Sequence, residues 1–226
     1  AVKYGTTRDY VCGLEAVLPS GEIVALGGKL VKNVTGYSLI GLLVGSEGTL
    51  AVVTRIILRL LPLPRVQVDL LVPFDDFQAA ADTVADVIAH RILPTAMEFM
   101  EQDSLLAVER LLQREVPYRD AVAPVLIQLD GNSSEAVDAD MELVGELCLQ
   151  HGAQDLLVAR DRPTRERLWE ARRKIIDSLN NESPVNHMED VVVPRAEIHR
   201  LLKGMKEIST RHGVRIISFG HAGDGN

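Results

Sequence analysis

The sequence lacks three features that would assign it to common classes of protein. It has only two cysteines, Cys12 and Cys148, and their separation matches no metal-binding or redox motif. We therefore expect structural thiols in a reducing, cytoplasmic setting. With 24 Lys and Arg against 32 Asp and Glu, the net charge of −8 argues against nucleic acid as a partner. No apolar run approaches the length of a transmembrane segment.

The remaining composition is that of a globular protein, with 46% hydrophobic and 25% charged residues. Ala1 stands where an initiator Met would, and the chain stops inside a glycine-rich loop, so we expect an internal fragment of a longer protein. Pro62 and Pro64 interrupt a β-rich region and mark a boundary between two domains, residues 1–64 and 65–226.

The first domain is rich in glycine and β-branched residues. Apolar runs at 11–18 and 22–26 flank Pro19-Ser20-Gly21, which predicts a hairpin. We expect a short helix over residues 37–44, a glycine turn, and a long strand over residues 50–61.

In the second domain the predicted elements follow the order strand–helix–strand twice. This order predicts an α+β fold with an antiparallel sheet and helices on one face. The expected strands lie at residues 66–72, 95–100, 124–130 and 155–160, with helices starting at Phe77 and over 103–113 and 134–151. Two further helices, 163–180 and 195–212, precede a strand at 214–219, and Gly213 should end the second helix.

Three segments carry groups suited to chemistry. Gly45-Ser46-Glu47-Gly48-Thr49 would let backbone N–H groups approach a ligand, although the segment taken alone favours a plain tight turn. Arg172 falls near the centre of an apolar helical arc, so its guanidinium needs a ligand anion, a core carboxylate or a route to water. His221 opens a glycine-rich loop after a strand, where it is a site residue or merely structural.

The motifs of residues 2–61 occur in one order: VKYGTTRDYVCGLEAVLPSGEIV, GGKLVKNVTGY and GSEGTLAVVT. This region resembles the second half of the FAD-binding (PCMH-type) domain of the vanillyl-alcohol-oxidase flavoproteins, most closely the glycolate oxidase and D-lactate dehydrogenase group. The resemblance implies a helix-covered, ferredoxin-like cap domain after it. It also implies FAD as cofactor, with contacts from Gly13, Glu47, Gly48, Thr49 and Val53. Two residues depart from the family pattern, Ala51 in place of Gly and Cys12 in place of Leu.

The same resemblance implies roles in the second domain. Arg172 lies where relatives bind the substrate carboxylate, and bidentate geometry suits Arg to that task. His221 begins a motif that supplies one ligand of a divalent metal, such as Zn or Mn, in some members. Glu189 and Asp190 also fit the family pattern, but adjacent carboxylates on a strand point to opposite faces, so Asp190 is expected to be structural or to support a site residue rather than to be catalytic. The implied reaction is FAD-dependent oxidation of a small D-2-hydroxy acid, glycolate or D-lactate, to the 2-oxo acid, with electrons passing to an iron–sulphur partner subunit.

Two other functions stay open. The chain would be catalytically silent if it served only as a folded binding or subunit-contact domain. A metal-dependent hydrolase centred on His221 is a weaker alternative, because no second His or Cys has a suitable spacing.

Overall fold

The computed structural model describes residues 2–183 and 185–226. It contains two compact units. The smaller unit comprises residues 4–63, and the larger comprises residues 64–226 together with Val2 and Lys3. Within the described residues, no helix is both long and apolar enough to cross a membrane.

The smaller unit is a three-stranded antiparallel sheet with one short helix. Strand β1 (Val11–Val17) lies between β2 (Ile23–Gly27) and β3 (Val52–Leu58), and the predicted hairpin between β1 and β2 is confirmed. Its turn closes with Leu18 N–H donating to the Glu22 carbonyl at 2.9 Å, and Gly21 supplies the positive φ of 86° that the turn needs. The short helix is α1 (Leu39–Leu43).

Two elements of this unit are shorter than predicted. Helix α1 begins only after Ser38, whose Oγ accepts from the Gly41 N–H at 3.1 Å and so caps it. Strand β3 ends at Leu58 because the partner strand β1 starts at Val11, directly opposite. Beyond that pair the Arg59 N–H still donates to the Tyr10 carbonyl at 2.8 Å, but residues 7–10 form a 3-10 helix and the ladder stops.

The larger unit contains a five-stranded antiparallel sheet in the order β7-β4-β6-β5-β8. Its first four strands in sequence, with the first and third of the helices between them, form the β-α-β-β-α-β unit expected of a ferredoxin-like domain, and the second helix is inserted between the two middle strands. The strands are β4 (Val66–Val72), β5 (Ala96–Met100), β6 (Val125–Gly131), β7 (Leu157–Ala159) and β8 (Phe219–His221). The helices are α2 (Phe77–Ala89), α3 (Gln102–Leu112), α4 (Ser134–Gln150), α5 (Arg162–Arg173), α6 (Ile175–Glu182) and α7 (Ile198–His212).

Helices cover both faces of this sheet, so the expectation of a single covered face is wrong. Val68 and Leu70 belong to one apolar cluster with α2, α4 and α7, whereas Leu71 belongs to another with α3, α5 and α6. Residues 68–72 of β4 are consequently buried on alternate sides without interruption. A strand covered on both faces has a near-continuous apolar sequence, and VQVDLLV has that character except at Gln67 and Asp69.

The last third of the chain differs from prediction in two places. The helix expected over 163–180 is divided at Lys174, which separates α5 from α6. The strand expected over 214–219 is instead the three-residue strand Phe219–His221, because β5 ends at Met100 and the pairing before Phe219 stops at the hydrogen bond from the Glu101 N–H to the Ser218 carbonyl at 3.1 Å. Gly213 ends α7 in the left-handed conformation, with φ of 63°, as predicted.

Candidate functional site

The glycine loop of the smaller unit, residues 45–49, connects α1 to β3. Gly45 and Gly48 have positive φ angles of 93° and 78°, and Glu47 between them has φ of 50°. A left-handed backbone is unusual for a residue with a side chain, and such positions concentrate at ligand sites. Arg8 Nη2 donates to the Val44 carbonyl at 2.8 Å and holds the start of the loop.

A cleft of about 310 Å³ lies beside this loop within the smaller unit. Of the predicted cofactor contacts, Glu47, Gly48 and Val53 line it, and so does Ala51. Its other walls are mainly aliphatic side chains, and its volume is at the lower end of the range for small-molecule pockets. The residues present therefore fit part of a flavin cofactor, with a polar loop at one side and apolar walls suited to an aromatic ring.

The two other predicted cofactor contacts do not line the cleft. Thr49 Oγ1 donates to the Ser46 carbonyl at 2.6 Å and stabilises the loop itself. Gly13 has a packing reason to be glycine, since a Cβ there would lie 2.8 Å from the Gly28 nitrogen. Flavin contact by Thr49 and Gly13 stays a prediction.

In the larger unit, α5 positions Arg172 against the sheet. Asp161 caps the helix by accepting from the Thr164 N–H at 2.9 Å, and this hydrogen bond lowers the pKa of Asp161. Leu168 and Ala171 are buried on the inner side of the helix. The Arg172 side chain lies on the same side and keeps only 12% of its surface exposed.

Arg172 is held by a carboxylate and an aromatic ring. Its Nε and Nη2 atoms lie 3.0 Å and 2.9 Å from Oε2 of Glu98, on β5. The guanidinium carbon lies 5.2 Å from the centre of the Phe219 ring, in cation–π contact. Nη1 donates to no atom of residues 2–183 or 185–226, so the outer end of the guanidinium fork remains available to a ligand.

His221 reaches the same carboxylate from the neighbouring strand. It is directly opposite Glu98 in the β5–β8 ladder, and its Nδ1 lies 2.7 Å from Glu98 Oε1. An ionised carboxylate only accepts hydrogen bonds, so this contact favours a proton on Nδ1 and a lone pair on Nε2. The imidazole is 53% exposed, which leaves Nε2 accessible.

The loop after His221 folds back onto its strand. The His221 N–H donates to the Asn226 carbonyl at 2.6 Å, and Asn226 Nδ2 donates to the side chain of Asp190. Asp190 thus supports the loop, in line with a structural role. Across the part of the chain that the structure describes, no group of three or more His, Cys, Asp or Glu side chains could hold a metal ion. His221 offers one ligand atom, and these residues do not complete a metal site.

The sequence analysis did not identify Glu98, although it contacts both predicted site residues of the larger unit. A signal for it exists in the sequence. The strand Ala96-Met97-Glu98-Phe99-Met100 is apolar except for one carboxylate, which must find a partner when buried. Glu98 is 5% exposed.

Comparison with known proteins identifies the family to which the chain belongs. Residues 63–226 match the family of FAD linked oxidases, C-terminal domain. The chain belongs to this family, and the resemblance expected from its motifs is confirmed.

Curated relatives align with the whole chain. It is 43% identical over 225 residues to the glycolate oxidase subunit GlcD of Bacillus subtilis, covering 100% of this chain and 47% of the relative. It is 37% identical over 231 residues to a D-lactate dehydrogenase of Anaerostipes hadrus, covering 100% and 49%. The chain thus spans about half the length of these relatives.

Two solved structures share the fold. Alkyldihydroxyacetonephosphate synthase aligns with a TM-score of 0.68 and 19% identity, over 93% of this chain and 42% of that one. The 4-ethylphenol oxidase of Gulosibacter chungangensis aligns with a TM-score of 0.68 and 17% identity, over 96% and 50%. The predicted α+β class with antiparallel sheets is confirmed.

Proposed function

We propose that the full-length protein oxidises a small D-2-hydroxy acid, such as glycolate or D-lactate, to the 2-oxo acid with FAD as the oxidant. Family membership and the names of the relatives support this reaction class. The observation that carries the proposal is the cluster of Arg172, Glu98 and His221, in which an anion-binding group and a proton acceptor share one buried carboxylate.

Arg172 binds the substrate carboxylate in this proposal. Its Nε side is committed to Glu98, whereas Nη1 and the second hydrogen of Nη2 form the outer end of the fork. A carboxylate can accept from that end with two parallel hydrogen bonds. The ring of Phe219 and the carboxylate of Glu98 restrict the guanidinium, so little conformational entropy is lost when the substrate binds.

His221 accepts the proton of the substrate hydroxyl at Nε2. The hydrogen bond from Nδ1 to Glu98 fixes the ring orientation and stabilises the imidazolium once the proton arrives. The substrate loses the hydroxyl proton to His221 and a hydride from the carbon that bears the hydroxyl. These two losses convert the hydroxyl to the carbonyl of the 2-oxo acid, so atoms and charges balance.

FAD, when bound, supplies the acceptor for the hydride that leaves the substrate Cα and holds the two electrons until they pass on. Glu47, Gly48 and Val53 would hold it along the cleft, with Thr49 and Gly13 as further proposed contacts. A partner subunit with an iron–sulphur centre is the proposed electron acceptor. Because the described residues do not complete a metal site, no step is assigned to Zn or Mn.

The test is steady-state kinetics of the full-length protein carrying Arg172→Met. We expect KM for glycolate or D-lactate to rise about 10- to 100-fold with flavin absorbance unchanged, since a charge-assisted hydrogen bond to the substrate is lost. Arg173→Met is the matched control, because Arg173 is exposed on the same helix and should leave KM unchanged.

An unchanged KM in the Arg172→Met variant would show that the carboxylate-binding role is wrong. A purified full-length protein that stays colourless after addition of FAD would instead favour the alternative, a silent binding or subunit-contact domain.

A further inference from the structure

Glu98 is the point where the two proposed site residues meet. Its side chain is 6% exposed, and each of its oxygens serves a different partner: Oε2 accepts from Arg172, and Oε1 accepts from His221. The three residues come from β5, α5 and β8, so the carboxylate joins a helix to two adjacent strands.

The charges of the cluster support a role beyond packing. A carboxylate removed from water needs a cation, and Arg172 supplies one that is itself only 12% exposed. With the imidazole neutral, the ion pair has no net charge. Nε and one hydrogen of Nη2 of Arg172 face Glu98, while Nη1 and the other hydrogen of Nη2 are left for another anion.

The hydrogen bond to His221 selects between two forms of a neutral imidazole. The ring can carry its proton on either nitrogen, and the partner of one nitrogen decides which form is populated. A carboxylate at Nδ1 favours the Nδ1–H form and directs the Nε2 lone pair outward, where the side chain is exposed.

We propose that Glu98 is a positioning residue that orients both partners through one carboxylate: it aligns Arg172 for a substrate carboxylate and sets His221 in the Nδ1–H form. The proposal rests on the proposed function for its catalytic meaning, but the tautomer it assigns exists without substrate or turnover. Glu98 acts through its partners and does not itself touch the substrate.

The test is nitrogen-15 NMR of the full-length protein with labelled histidine, recorded at a pH where His221 is neutral. We expect the wild-type His221 resonances to show a protonated Nδ1 and an unprotonated Nε2. His151 serves as an internal reference for the other tautomer. Its Nε2 lies 2.9 Å from Asp86 Oδ2, so Nε2 should carry the proton. Protonated Nε2 at His221 in the wild-type protein would overturn the proposal without any need for a variant.

A substitution then separates positioning from general stability. Glu98→Gln should shift His221 toward protonated Nε2 and lower kcat about 10- to 100-fold, as expected for loss of an outer partner of a site histidine. Asp69→Asn is the matched control, since Asp69 is a buried carboxylate on the same sheet face that contacts neither Arg172 nor His221. We expect it to leave both the tautomer and kcat unchanged.

The outcomes distinguish the two proposals. If the Nδ1–H form is found but neither hydroxy acid is oxidised, the proposed function fails and the positioning role of Glu98 stands. If the hydroxy acid is oxidised and Glu98→Gln changes neither tautomer nor kcat, the positioning role fails alone. Partial recovery of kcat by Glu98→Asp relative to Glu98→Gln would further support a requirement for the charge.

Discussion

Two carboxylates, Asp69 and Glu98, are buried on the same face of the five-stranded sheet, yet their partners differ in kind. Asp69 accepts its side-chain hydrogen bonds from neutral donors: Oδ1 from Gln128 Nε2 at 3.1 Å, and Oδ2 from Trp169 Nε1 at 2.8 Å. Glu98 accepts instead from a guanidinium and an imidazole. Burial raises the pKa of Asp69, with the hydrogen bonds from Gln128 and Trp169 opposing that rise.

The difference teaches which buried acid to associate with function. Neutral donors satisfy the oxygens of Asp69, and the single N–H of the Trp169 indole is used by that contact. Around Glu98, by contrast, Nη1 of Arg172 and Nε2 of His221 both remain unused within the described residues. A buried carboxylate that orients groups with spare hydrogen-bonding capacity is the better mark of a site than burial or a shifted pKa alone.

The largest effect should come from removing the charge at Glu98. Glu98→Ala leaves Arg172 buried without its anion, and we expect the free energy of unfolding to fall by about 3–5 kcal/mol. Urea denaturation monitored by fluorescence of Trp169 measures it. Glu170→Ala is the control, because its ion pair with Arg114 is exposed at 42% and 44% and should contribute less than about 1 kcal/mol.

A double substitution sharpens this prediction. Replacing both Glu98 and Arg172 by Met removes the uncompensated charge, so the variant should be markedly more stable than Glu98→Ala alone. If the double variant is the less stable of the two, the cost of Glu98→Ala does not arise from the stranded guanidinium.

A smaller effect is expected at the other carboxylate. Trp169→Phe removes the indole donor from Asp69 Oδ2 while keeping an aromatic ring, and should lower the free energy of unfolding by about 1–3 kcal/mol. The same denaturation assay, followed by circular dichroism, measures it. If Trp169→Phe raises KM for the hydroxy acid as strongly as Arg172→Met does, the distinction between a structural Asp69 and a functional Glu98 is wrong.

The sequence predicted the local secondary structure well, but it did not predict which side chains far apart in sequence contact one another. The hairpin around Gly21, the end of α7 at Gly213 and the strand at 66–72 depend on nearby residues, and each is confirmed. The position of Arg172 on an apolar helical face likewise followed from a period of 3.6 residues. The division of the helix at Lys174 was not predicted. The backbone conformation changes within one turn there, and the spacing of the apolar residues does not indicate it.

The partner of Arg172 was unpredictable for a different reason. Asp69 and Glu98 both occur within apolar strands, and either could neutralise a buried guanidinium. The choice depends on the strand order β7-β4-β6-β5-β8, which places β8 and its His221 beside β5 rather than β4. Strand order is set by contacts between residues far apart in sequence, so motif spacing carries no information on it.

The smallest predicted effect is a gain in stability from Asp69→Asn. Because burial raises the folded-state pKa of Asp69 above its ordinary value of 3.8, the folded protein retains that proton more readily than the unfolded chain. The stabilisation by the protonated form is complete below that ordinary value and is lost as pH rises through the folded-state pKa. Asparagine stays neutral, and rotation of the Gln128 amide lets its oxygen accept from the new Nδ2, so at pH 7 the variant should be more stable than wild type by on the order of 1 kcal/mol, with the advantage shrinking in acid. Denaturation of both proteins at matched pH measures the difference, and an advantage that grows as the pH falls would contradict the assignment.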